Sequence, residues 1–199
     1  MVTIEVLKKT IAALGYKWFE DQPNIIGVRT KLQVPDVFND ILLIVYKKDG
    51  AEQLYSATIT TEPGVFYQKK LLNSKGCWVM MPAQMINGYK SGFHQGKKDH
   101  RALQSLGKIF GLREDDKDGI LFDDKDAVAA WAEGSGVGAN IHGARKLGDT
   151  TVVGPWSAGC QVHSNWTKKE EMMDIVDSYK KLNNGWVTYT LINEADLKY

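Results

Sequence analysis

Asp40-Ile41-Leu42-Leu43-Ile44-Val45-Tyr46-Lys47, then Lys48-Asp49-Gly50, then Ala51-Glu52-Gln53-Leu54-Tyr55-Ser56-Ala57-Thr58-Ile59-Thr60-Thr61 is the stretch that decides the fold. Two runs rich in β-formers flank an Asp-Gly pair, a strong short-range hairpin signal. Glu62-Pro63-Gly64 then breaks the second strand. Working outward, Asn24 to Arg29 is a β-branched run, and Cys77-Trp78-Val79-Met80-Met81 is a further strand stopped by Pro82. Trp186 to Ile192 alternates like a terminal strand. Helices are few. Ile4, Leu7 and Ile11 recur at helical spacing over 2–14, with Gly15 at the C-cap. Thr167-Lys168-Lys169-Glu170 reads as a capping box that opens a helix with Met172, Ile175, Val176 and Tyr179 on its buried stripe.

Between these elements, Asn87 to Gly96 carries three glycines and is expected to be a loop. Gly107 to Leu112 and Ile120 to Phe122 are expected to pair across the acidic turn Glu114-Asp115-Asp116-Lys117-Asp118-Gly119. The sum is a β-rich α+β domain with peripheral helices. The 199 residues fit a single domain, 1–199, with 1–19 as an N-terminal helical extension.

Composition narrows the function. Twenty-five basic and 24 acidic side chains leave a net charge of +1, so no global field attracts nucleic acid. The longest apolar run, Ile41 to Tyr46, is too short for a membrane-spanning helix. Two cysteines do not make a disulfide scaffold. Charge at Glu5, Lys8 and Lys9 interrupts the stretch where a secretory signal would be apolar, so cytoplasmic synthesis is expected.

The acidic turn invites a calcium reading. Glu114, Asp116 and Asp118 fall at positions one, three and five of a loop with Gly119 at six, but Lys125 stands at twelve, where a bidentate carboxylate belongs. A solvated turn is the preferred reading, and no metal or cofactor is expected. Neither zinc nor P-loop patterns occur. Gly134 to Gly138 reads as a mobile run admitting substrate rather than as a phosphate cradle.

The chemistry concentrates in Gly138 to Arg145 and Gly154 to Val162, which offer an imidazole and a thiol on two glycine-flanked turns. A cysteine nucleophile needs a base nearby and backbone N–H groups facing the developing oxyanion. His142, fourteen intervening residues and then Ser157-Ala158-Gly159-Cys160 resembles the L,D-transpeptidase catalytic signature. More narrowly, the chain is similar to a phage and prophage lysin-type branch with Asn-Ile-His and Ser-x-Gly-Cys-Gln elements. The likeness extends through Asn24 to Arg29, Thr60 to Gly64 and Tyr89 to Gly96, and covers roughly residues 20–192.

That resemblance implies an L,D-transpeptidase-like β-sandwich or barrel and chemistry on peptidoglycan stem peptides. Cys160 would be the nucleophile and His142 its base, oriented by the Gly143 main chain. Ser157 would hydrogen-bond within the site, and the Gly159 and Cys160 N–H groups would bind the oxyanion. Two positions depart from the family pattern. Val162 stands where the transpeptidases carry Arg or Asn, and Ala158 where they tend to carry His. Substrate carboxylate recognition then falls to Arg145 or another residue, and His94, Tyr89 and Gln161 are further substrate-binding candidates. His163 would face away from the site, and Cys77 is a core residue.

The expected activity is a phage or prophage endolysin-type peptidase working through a thioester, monomeric, acting on the bacterial cell wall after release. A cross-linking L,D-transpeptidase and a catalytically silent virion or host-interaction protein remain as alternatives. A thiolate–imidazolium pair is expected at the dyad, lowering the Cys160 pKa and raising that of His142.

Overall fold

The computed structural model describes residues 1–31, 36–123 and 125–199. Its strands are β1 (Asn24–Arg29), β2 (Asp40–Lys48), β3 (Ala51–Thr60), β4 (Cys77–Met80), β5 (Ala83–Phe93), β6 (Arg101–Ser105), β7 (Lys108–Glu114), β8 (Ala130–Glu133), β9 (Ile141–Gly143), β10 (Gln161–His163) and β11 (Trp186–Asn193). Helices are α1 (Ile4–Ala13), α2 (Val65–Lys69), α3 (Gly134–Val137) and α4 (Trp166–Ser178). Eight strands close into a barrel in the order β1-β11-β5-β6-β9-β10-β3-β2, and β4-β7-β8 form a separate small sheet. The chain is therefore a β-rich α+β protein. Among the described residues no helix is long and apolar enough to cross a membrane.

The β2–β3 hairpin is the longest ladder, running from Asp40↔Ile59 to Lys48↔Ala51. Its turn places Asp49 at φ 52° and Gly50 at φ 79°, the left-handed pair that a two-residue hairpin matching the strand twist demands. The unbroken apolar run of β2 has a physical reason. Leu42 and Ile44 join Ile25 in the core that includes Met85, Tyr189 and Leu191. Leu43 and Val45 join Ile26 and Val28 under Val6, Leu7 and Ile11 of α1. Both faces of β1 and β2 are covered, so alternation disappears. Burying Leu7 and Ile11 stabilises the α1 contact by about 2 kcal/mol each. The N-terminal helix is thus a wall of a second core.

Four expectations change. The glycine-rich stretch from Asn87 is the continuation of β5, which pairs with β6 from Tyr89↔Ser105 to Phe93↔Arg101. Ile120 to Phe122 is not a strand: β7 pairs instead with β4 and β8. The Asp118 carboxylate accepts the Ile120 N–H at 2.7 Å, removing a donor a ladder would need. Helix α4 begins earlier than Thr167, because the Asn165 side chain accepts the Lys168 N–H as N-cap. Its buried face is Lys169, Met172, Met173 and Val176, while Tyr179 bridges to both the N–H and C=O of Lys47. The run 134–137 is a helical turn closed by Gly138 at φ 76°.

Candidate active site

β9 and β10 lie side by side and parallel, with His142 opposite Val162. Cys160 stands just before β10, two residues from Val162, hence about 7 Å along the strand from His142. Both side chains line one cavity of about 850 Å³.

The turn that presents the thiol is tied from several sides. Ser157 Oγ donates to the Cys160 carbonyl at 2.7 Å and accepts the Gly159 N–H at 3.2 Å. The Ser157 carbonyl accepts the Gly64 N–H at 2.8 Å. Gly159 has φ 125°, and a Cβ there would meet the Trp78 carbonyl oxygen at 2.5 Å, so only glycine fits. Because Ser157 already engages the Gly159 N–H, that group is not a free oxyanion donor in this state.

His142 is 2 % exposed. Its Nδ1 lies 2.8 Å from the Gly143 carbonyl, which only accepts, so the ring proton belongs on Nδ1. Nε2 is left as an acceptor, buried and without a partner among the described residues. The Cys160 thiol points elsewhere: Sγ donates to the Gly138 carbonyl at 3.5 Å. The two groups share a cavity but no hydrogen bond.

The dyad is flanked by two more imidazoles. His94 stacks on His142 with centroids 3.9 Å apart and a 27° interplanar angle, and His100 meets His142 edge-on at 5.4 Å. Trp166 backs His100 at 4.7 Å. Asn140 Nδ2 donates to His94 Nδ1 at 3.3 Å, fixing its proton on Nε2. Burial, then Lys97, pushes His94 down to about 4; burial, then His94 and Lys169, pushes His100 down to about 4. Burial and then His94 hold His142 well below the usual imidazole range.

Burial also pushes the Cys160 thiol up to about 11, against a smaller opposing effect of the Asn140 N–H. This reverses the expected shifts. Cys160, His94 and His100 are only partly buried, but the burial around them and the neighbouring imidazoles disfavour a resting thiolate–imidazolium pair. At neutral pH the site contains a neutral thiol and neutral imidazoles.

Arg145 lines the same cavity, and its Nη2 donates to the Asp149 carbonyl at 2.7 Å. It meets no carboxylate among the described residues. Lys97, Arg113 and Lys146 also line the cavity, with Asp99 as the acidic counterpart and Lys146 paired to it. The lining is net cationic, which suits a substrate carrying carboxylates.

Tyr89 and Gln161 are corrections to the expected substrate contacts. Both are wholly buried and lie outside the cavity lining. Tyr89 Oη donates to the Ala139 carbonyl at 3.0 Å. Gln161 Nε2 donates to the Thr61 carbonyl at 3.3 Å, and its Oε1 accepts from Tyr189 Oη at 3.1 Å. Gln161 follows Cys160 in an extended segment and so faces the other way. His163 is buried against Met172 Sδ at 3.3 Å, outside the cavity. Cys77 donates its S–H to the Tyr67 carbonyl at 2.9 Å, and burial followed by Glu114 pushes its thiol up to about 12.

His100 was not singled out from sequence. The available signal was the β5–β6 hairpin: His94 N–H donates to the His100 carbonyl at 2.8 Å, so anything at 94 brings 100 with it. Reading 87–96 as a loop hid that connection. Compared with known proteins, the chain matches no family model, no curated protein and no solved structure.

Proposed function

We propose that the protein is a cysteine-dependent hydrolase of peptidoglycan stem peptides, an L,D-transpeptidase-like domain of the phage or prophage endolysin type that reaches the cell wall after release. The observation that carries this reading is the pairing at the cavity. A strand-borne imidazole with its Nδ1 proton committed to Gly143 keeps a buried, unbonded Nε2, and the same residue lines the cavity that also receives Cys160. The resemblance at His142 and Ser157 to Cys160 supplies the substrate class, and the cationic lining supports it.

In this reading the thiol proton moves as the bond forms. Cys160 Sγ attacks the amide carbonyl carbon while His142 Nε2 takes its proton. The Cys160 N–H faces the developing oxyanion. Collapse breaks the C–N bond, and the imidazolium returns its proton to the leaving amine. Water then attacks the thioester, giving one proton to Nε2. Collapse breaks the C–S bond, the carboxylic acid product leaves, and Nε2 returns its proton to the Cys160 thiolate. Arg145 holds a substrate carboxylate.

The experiment is mass spectrometry of purified muropeptides incubated with the protein and with Cys160→Ala. Expected are new fragments heavier by one water in total, lost in Cys160→Ala with its melting temperature preserved. Cross-linked products instead of hydrolysed ones would make an amine the acceptor and the protein a transpeptidase. Full turnover by Cys160→Ala would overturn the covalent mechanism. The raised thiol pKa and the missing Cys160–His142 bond favour one second reading, a catalytically silent virion or host-interaction protein. It requires intact muropeptides together with sedimentation of the protein on isolated cell walls.

A further inference from the structure

Away from the cavity, the acidic turn holds a group that a solvated turn should not contain. Glu114 closes β7 opposite Cys77 of β4, and it is wholly buried. Its Oε1 accepts the Lys117 N–H at 3.1 Å. Its Oε2 is also buried and has no hydrogen-bond donor among the described residues. A buried carboxylate oxygen with no donor is costly.

The surroundings show what could meet it. Carboxylate oxygens of Glu114, Asp116 and Asp118 lie within 4.8 Å of one another. The three alternate along the chain and are followed by Gly119. Among the described residues the cation paired with this turn is Lys125, whose Nζ lies 3.4 Å from Asp116, 3.1 Å from Asp118 and 3.6 Å from Asp123. That ammonium is largely exposed and forms no ion pair with Glu114. It serves the outer carboxylates and leaves the inner oxygen unmet.

We propose that Glu114, Asp116 and Asp118 form a calcium site, with the Glu114 carboxylate as its buried ligand and Lys125 as a competing cation that calcium displaces. The donor set is oxygen only, which excludes the nitrogen- and sulfur-seeking metals. Calcium accepts irregular sets of six to eight oxygens at about 2.3–2.6 Å, completed by water and backbone carbonyls, whereas magnesium demands a near-ideal octahedron. Three carboxylates facing one ammonium leave negative charge for a divalent ion to neutralise. With a lysine where a bidentate glutamate would stand, the affinity belongs with weak extracellular sites, about 10⁻⁴–10⁻³ M.

The test is calorimetric titration of the full chain, stripped with EDTA, by CaCl₂ and separately by MgCl₂, with thermal melts alongside. Expected are one saturable calcium site and a melting temperature raised by about 3 °C at tenfold excess over the dissociation constant, with a smaller response to magnesium. Asp118→Asn, at an exposed position, should weaken binding about tenfold and keep the fold. Lys125→Met should tighten it. Glu114→Gln should abolish it, and Asp118→Asn stands in if that variant fails to fold. No saturable heat up to about 10 mM calcium, equal responses to both ions, or unchanged affinity in Asp118→Asn would each overturn the proposal.

Discussion

Two buried polar clusters in this molecule are built on opposite terms. At the end of β1, Arg29 donates to Thr61 Oγ1 at 2.8 Å, to the Thr61 carbonyl at 2.9 Å and to the Met80 carbonyl at 2.8 Å. Asp40 accepts from Thr61 N at 2.7 Å, from Thr61 Oγ1 at 2.7 Å and from Thr30 N at 2.9 Å, and Glu62 lies 3.6 Å from Arg29. Charge is kept inside because it is densely bonded. In the cavity, His142 Nε2 and His100 Nε2 are buried and have no partner among the described residues. The first cluster is closed except at Glu62 Oε1, which meets Arg29 as an ion pair without a hydrogen bond, and it holds strands together. The second leaves two ring nitrogens unbonded on residues that line a cavity, and an unspent acceptor is what a reacting ligand needs.

The sharpest way to break this contrast is Arg29→Ala. It strands Asp40 and Glu62 in the interior, so it should cost about 3–5 kcal/mol, read as a lower denaturant midpoint at unchanged slope. A loss under about 1 kcal/mol would mean that the knot is not structural.

A somewhat smaller effect is expected from acid. Burial holds all four histidines down: His94 and His100 to about 4, His163 to about 3, and His142 well below its usual range. In the unfolded chain they bind protons near 6.5. Between about 6.5 and 4 the unfolded state therefore binds more protons, and stability falls as pH falls. His163 alone, fully buried and held to about 3, should remove about 2–3 kcal/mol by about pH 4.5, and His142 adds to that loss in the same direction. Glu114, raised to about 7 chiefly by burial, works the other way and trims the loss. Thermal melts across this window check the sign. A melting temperature that is flat or rises on acidification would mean that the imidazoles are not held neutral.

The smallest effect is Cys77→Ala. It removes one S–H···O contact and a little packing, about 1 kcal/mol, and should leave muropeptide turnover untouched. Alkylation in the native state should then report Cys160 alone. Slower turnover in this variant would place the small sheet in the mechanism.

The barrel's main hairpin was legible because Asp49-Gly50 and its flanking runs act locally. So was the Cys160–His142 neighbourhood, although the signal there was a resemblance rather than a pattern. What escaped depended on distant partners. Glycine-rich β5 is held as a strand by its neighbours β6 and β11, against the preference of Gly88 and Gly92. Asn165 outcompetes Thr167 as a cap through the position of its side-chain oxygen, and Tyr89 lies in the core because the barrel closes around it. The direction of both pKa shifts at the dyad was misread, because a sequence shows charge neighbours more readily than it shows dryness.

β11 lies between β1 and β5, running parallel to the first and antiparallel to the second. The barrel therefore has no closed form until residues 186–193 have left the ribosome. Until then β1 and β5, the strands that β11 joins, each keep one unpaired edge. Such long-range closure is slow. It makes the nascent chain, rather than the finished protein, the stage most open to edge-to-edge association and most in need of a chaperone.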